Sequence, residues 1–249
     1  MNIFQADLKY YLRSPIIWLI LAMSTFISAW SFLLSIEIFT VMQVKFAGMA
    51  DAPTIMQGIV HPVIAAQAKS LILIVSIIAG LSFARLSHNN GWFLIKGYNQ
   101  SEFHLIGQKY LSIFLVCLIF IIPSMLAIFS LVVITGIKIL PIIIAICGLL
   151  LLLLWMLALA MYISSLVANT GFSILLCIVV LMVLWTLSAS SVDASWGKNW
   201  LQVLSPQYHF QQFFTSFVSY ASLFYFVAGI ILCVWATRIR LIHKRYLLT

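Results

Sequence analysis

The sequence predicts an all-α, polytopic membrane protein with six transmembrane helices, an N-terminal interfacial amphipathic helix and an outer amphipathic helix before the last span. Three observations carry this expectation. Of the 249 residues, 64% are hydrophobic and 7% are charged, where a soluble domain has about 25% charged residues. The mean hydropathy is +1.17. The apolar residues gather into six runs, on the scale of the roughly 20 residues needed to cross a hydrocarbon core, the fifth and sixth of them short. Such a composition excludes a water-soluble enzyme, a nucleic-acid binder and a disordered chain. The net charge of +8 is no nucleic-acid footprint, since its 13 Lys and Arg are strewn along the whole chain.

The expected spans are 16–36, 63–84, 110–135, 141–167, 172–188 and 223–237, all within one transmembrane domain covering 1–249. Each is read as helical, because lipid offers no partner to an open backbone and no barrel-like alternation is present. The first run is read as a retained span and not a cleavable signal. It is long for a signal core, and Ser24, Ser28 and Ala29 lie inside it instead of ending it.

Placing the N-terminus inside puts nine basic residues on the inner side: Lys9, Arg13, Arg85, Lys96, Lys109, Arg238, Arg240, Lys244 and Arg245. The outer side then has four, Lys45, Lys69, Lys138 and Lys198. The bias predicts both termini in the cytoplasm. The short connections 136–140 and 168–171 make the spans on either side of each antiparallel neighbours. Segment 85–109 is the one inner loop large enough to hold structure, and 189–222 is a long outer segment.

Segment 1–15 places Ile3, Phe4, Leu8, Tyr11 and Leu12 at helical spacing, with Asp7, Lys9 and Arg13 mostly on the other side. This is a helix lying in the interface, with Arg13 suited to anionic headgroups and Pro15 placed at the first turn of the next helix. In the inner loop, Asn89-Asn90-Gly91 forms a turn, and Trp92, Phe93, Leu94 and Lys96 build a short helix closed by Gly97. A displayed apolar helix at the membrane face suits docking of a partner protein, and an interfacial aromatic belt explains Trp92 equally well. In the outer segment, Phe210, Phe213, Phe214 and Phe217 share one helical face, which is expected to anchor in the outer leaflet after Ser205-Pro206.

Ionisable residues within the spans are few. Glu37 and Lys69 stand at similar expected depth, either as an intramembrane pair or as a snorkelling lysine and a solvated carboxylate. The cysteines Cys117, Cys147, Cys177 and Cys233 fall in four separate apolar runs without metal-ligand spacing, so they read as apolar fillers. No metal site is expected, and the histidines at 61, 88, 104, 209 and 243 are scattered. No G-x-x-x-x-G-K-[ST], G-x-S-x-G or H-E-x-x-H motif is present, so no ATP cradle or catalytic set is expected in this chain. Ala160, Ser164 and Ala168, four apart, suit close helix approach, either within the chain or between chains.

The order of these parts resembles the ABC-2-type permeases of ATP-binding cassette exporters, in particular the gliding-motility-like and copper-processing-like permeases. The resemblance spans most of the chain. It rests on Arg13-Ser14-Pro15, on Arg85, Gly91, Gly107 and Lys109 around the inner loop, and on Tyr162-Ile-Ser-Ser-Leu-Val-Ala-Asn169. Leu204-Ser-Pro-Gln-Tyr-His-Phe and the basic tail add to it. The chain departs from the family in lacking acidic residues in the inner loop, where Leu86, Ser87 and Leu94 stand near the usual carboxylates.

The resemblance implies a half-transporter of the bacterial inner membrane. A second permease chain, the same or homologous, would complete the pathway through the lipid. A dimeric cytoplasmic ATPase would dock at Gly91–Gly97 and bring the ATP and magnesium that this chain does not hold. The nearly uncharged spans favour a lipid-like or amphipathic substrate over a hydrated ion. A non-transporting membrane scaffold or immunity subunit is the competing reading, and an intramembrane lipid-modifying enzyme is a third.

Overall fold

A computed structural model describes residues 3–46, 53–88, 102–188, 202–215 and 219–247. Eight α-helices account for nearly all of these, and no strand occurs among them. They are α1 (Ile3–Arg13), α2 (Pro15–Lys45), α3 (His61–His88), α4 (Glu102–Thr135), α5 (Ile139–Leu166), α6 (Thr170–Thr186), α7 (Pro206–Gln211) and α8 (Tyr220–Leu247). A π-helical turn, Met56–Val60, leads into α3, and a 3-10 turn, Gln212–Phe214, follows α7.

Among the described residues, five helical segments are long and apolar enough to cross a membrane: Pro15–Lys45, Met56–Ala84, Phe103–Thr135, Ile139–Leu166 and Tyr220–His243. The fifth expected span, 172–188, forms the equally long 17-residue α6 two residues earlier, which at about 1.5 Å per residue is roughly 25 Å long, against a core about 30 Å thick. The first span departs from its expected length. Its helix continues to Lys45, nine residues beyond the expected end at Ile36, because Glu37-Ile-Phe-Thr-Val-Met-Gln contains no helix breaker. Hydropathy measures where a helix is apolar, while the helix itself runs on until the backbone is interrupted.

The interruptions follow local chemistry. Pro15 begins α2, and the Ser14 N–H bonds back to the Tyr11 carbonyl at 3.2 Å. The corner between α1 and α2 is fastened by the Trp18 indole N–H, which donates to the Leu12 carbonyl at 2.7 Å. Between α4 and α5, Gly136 takes a left-handed φ of 64°, cheap for glycine alone. At the start of α6, the Asn169 side chain accepts from the Gly171 and Phe172 N–H groups at 3.0 and 3.4 Å, satisfying two orphan donors. The tight connections expected at 136–140 and 168–171 are both present, and α4–α5 and α5–α6 are neighbours.

Helices α3 and α5 form the centre, packing most extensively on one another. In their most apolar windows 67% and 56% of residues are buried, against 17% in α2 and α8. Around this pair, α6 packs on α3, α8 on α5, α2 against α3 and α4, and α1 against α4. The outer faces of α2 and α8 present Phe26, Trp30, Leu33, Phe224, Ile231 and Trp235 to the surroundings. A chain this apolar on the outside as well as the inside is matched to lipid and not to water.

Candidate functional site

In an apolar bundle each buried polar group needs a partner, so the polar pairings mark the joints of the molecule. They fall at three levels. At the end where α1 lies, Lys109 of α4 is 5% exposed. Its ammonium meets Asp7 of α1 at 3.0 Å and lies 5.8 Å from the centre of the Phe83 ring of α3. This is the one ion pair among the described residues. It sits just beyond segment 89–101, so both helices flanking that segment and the N-terminal helix meet at a single lysine. At the same end Arg238 of α8 stacks over Phe103 of α4, 4.3 Å from its centroid.

Midway along the bundle, Gln67 of α3 accepts from the Ser28 hydroxyl of α2 at 2.7 Å and donates to the Phe120 carbonyl of α4 at 3.0 Å. Pro123 lies one turn on in α4 and, having no N–H, leaves the neighbouring Ile119 carbonyl without its helical donor. Nearer the α1 end, the Ser164 hydroxyl of α5 enters the ladder of α3. It accepts from the Phe83 and Ala84 N–H groups, each at 3.0 Å, and donates to the Gly80 carbonyl at 2.8 Å. Ser173 of α6 donates to the same carbonyl at 2.8 Å. Three helices therefore converge on one peptide oxygen.

At the opposite end, α7 and its 3-10 turn fold back over α5 and α8 as an aromatic cap. His209, 5% exposed, stacks on Tyr225 at 4.1 Å, and Tyr225 stacks in turn on Trp155 at 5.9 Å. The Val203 carbonyl, 2.8 Å from Nε2, can only accept, which assigns the ring proton to Nε2. Nδ1 then accepts from the Ser222 hydroxyl at 3.1 Å. Burial holds this imidazole below its ordinary 6.5, opposed by the bond to the Val203 carbonyl.

The cap corrects one expectation. Phe210 and Phe213 do not face lipid: they are 1% and 2% exposed. Phe213 packs against Gly148 so closely that a Cβ there would stand 2.6 Å from the ring, and Phe210 contacts Trp185 and Phe214. Phe214 stacks on His61 at 4.5 Å. The helix expected through this region gives way after Gln211 to a 3-10 turn that presses the rings inward. A helical wheel shows which residues share a face but not whether that face meets lipid or protein. Phe217 lies outside the described residues.

Of the two readings of Glu37 and Lys69, the structure does not form the pair. Both are exposed, on α2 and α3, and no ion pair joins them. The carboxylate that does find a lysine is Asp7, 102 positions away from its partner in sequence. The small-residue stripe is split: Ala160 and Ser164 are buried within the chain, while Ala168 is exposed. Arg13 is exposed at the end of α1, and Pro15 occupies the first turn of α2. Gly91, Trp92, Phe93, Leu94, Lys96 and Gly97 lie outside the described residues.

All four cysteines are free, with Cys117 and Cys177 buried. Among the described residues no three His, Cys, Asp or Glu side chains are grouped so as to hold a metal ion. What the polar contacts accomplish is mechanical: they tie helix to helix at chosen depths. Fold and pairings together define a multi-pass, membrane-embedded helical protein. No family model matches the chain, and no curated protein matches it.

Proposed function

We propose that this chain is the membrane-spanning permease subunit of an ATP-binding cassette exporter of the bacterial cytoplasmic membrane, with both termini in the cytoplasm. A separate dimeric ATPase, holding ATP and magnesium, docks on segment 91–97. Closure of the ATPase moves the two permease halves as rigid bodies, and a lipid-like or amphipathic substrate is exported or extracted.

The observation that supports this reading most directly is the junction at Lys109. A partner gripping the segment between α3 and α4 acts on a point where α1, α3 and α4 are already held together. The load is thereby shared by three helices instead of one. The resemblance described above supplies the rest of the argument.

The test is copurification from native membranes with a cytoplasmic ATPase, repeated with Trp92→Ala and Phe93→Ala. Loss of the association is expected. Undiminished association and ATPase coupling in the double variant, or cysteine labelling that places residues 91–97 on the outer face, overturns the reading. Reconstitution with labelled lipid separates it from the scaffold alternative, since only a transporter moves lipid in strict dependence on ATP.

A further inference from the structure

We infer that the corner between α1 and α2 binds one anionic phospholipid, with an acyl chain in a slot against α4 and the phosphate on Lys9 and Arg13. Leu12, Ile17, Trp18 and Leu21 face Val116, Ile119 and Phe120 across this shallow, partly open slot. All its lining side chains are apolar, and the one indole N–H among them is already donated to the Leu12 carbonyl at 2.7 Å. The slot therefore offers a headgroup nothing and a hydrocarbon chain everything.

The charge lies on the helix that supplies Leu12. Helix α1 carries three charged side chains, Asp7, Lys9 and Arg13. Asp7 is neutralised by Lys109 at 3.0 Å. That leaves Lys9 and Arg13, both exposed, four residues apart on one face of α1 and unpaired among the described residues. Arg13 directly follows the lining residue Leu12 and stands four positions before the lining residue Ile17 in the chain. On the α4 side the slot runs from Val116 to Phe120, about 6 Å of helix, enough for the upper part of a chain whose remainder lies in bulk lipid. Two cations at the interface beside an apolar slot match an anionic diacyl lipid and discriminate against a zwitterionic one, whose choline adds a charge of the wrong sign. The inference does not rest on the transport reading, because it requires only that α1 lie at a membrane surface.

Native mass spectrometry of the full chain in detergent tests it, with dioleoylphosphatidylglycerol and dioleoylphosphatidylcholine titrated separately. The wild-type chain is expected to retain the glycerol lipid preferentially. Lys9→Gln with Arg13→Gln should weaken that lipid about tenfold or more while leaving the choline lipid unchanged, and Lys9→Arg with Arg13→Lys should keep the preference. Ile119→Trp, which fills the slot from α4, should weaken both lipids. Leu21→Trp fills it from the opposite wall and decides the matter if the first variant does not fold. Equal retention of the two lipids by the wild type overturns the inference, as does unchanged binding in the double glutamine variant or in a folded slot-filled variant. Displacement of the lipid by soluble glycerol phosphate at matching concentration also overturns it, since that marks a phosphate site with no role for the chain.

Discussion

Lys109 and Asp7 stand 102 positions apart in sequence and 3.0 Å apart in space. The side chains are 6% and 24% exposed respectively, so the lysine is held almost without water. Removing the carboxylate strands an ammonium in a poorly solvated place. Asp7→Asn is expected to destabilise the chain by about 2–4 kcal/mol, between the values for exposed and fully buried pairs. Lys109→Met should cost less, because it leaves a partly solvated carboxylate instead. Thermal unfolding of both variants in the same detergent checks the order, and equal losses would refute it.

Gln67 is the second joint. Gln67→Leu removes one bond to Ser28 and one to the Phe120 carbonyl. Interhelical hydrogen bonds in membrane proteins average about 0.6 kcal/mol each, so a total loss near 1 kcal/mol is expected. Gln67→Glu should be worse than leucine, since a charge would be buried without a counter-ion. Denaturation in mixed micelles measures both.

Ser164→Ala leaves two N–H groups of α3 without their hydroxyl acceptor and takes one donor from the Gly80 carbonyl. A loss of about 1–3 kcal/mol follows from unsatisfied buried groups. Ser173→Ala should cost less, because the Gly80 carbonyl keeps Ser164 as a donor. Hydrogen exchange at Phe83 and Ala84 reads the difference directly.

The aromatic cap carries a pH dependence. His209 is neutral in the folded cap and titrates below its ordinary 6.5, so the unfolded segment binds a proton more readily than the folded one. The cap's stability is then complete above about pH 6.5 and declines as the pH falls through the lowered value. Protonation also turns Nδ1 from an acceptor into a donor facing Ser222. Faster exchange of residues 203–214 on acidification is expected, and His209→Gln should remove that acid dependence. Tyr208 and Tyr225 are the ring neighbours of His209 that carry hydroxyls.

Gly148→Leu should dislodge Phe213, since even a single Cβ at 148 already crowds that ring. A compensating Phe213→Ala should recover part of the loss. If the two substitutions cost the same separately and together as independent sites do, the packing described for the cap is wrong.

The sequence alone was sufficient for the class of the molecule and for most of its helices. A 64% hydrophobic chain has no solvent but lipid, and Pro15, Gly136 and Asn169 announce their helix boundaries through backbone angle and side-chain capping that need no distant partner. The length of α2 was less legible, because hydropathy scores lipid compatibility and not where hydrogen bonding stops.

What only the tertiary structure decided is which side of each helix meets protein. Every face of α3 is apolar, so nothing in its pattern singles out Gln67 as the residue that joins α2 and α4, or Gly80 as the carbonyl shared by Ser164 and Ser173. The same ambiguity turned Phe210 and Phe213 from lipid anchors into buried packing, and it gave Lys109 to Asp7 and not Lys69 to Glu37. In water the hydrophobic effect writes the inside of a protein into the periodicity of its helices. In a chain made for lipid, both sides are equally apolar, and shape together with a few hydrogen bonds makes the choice.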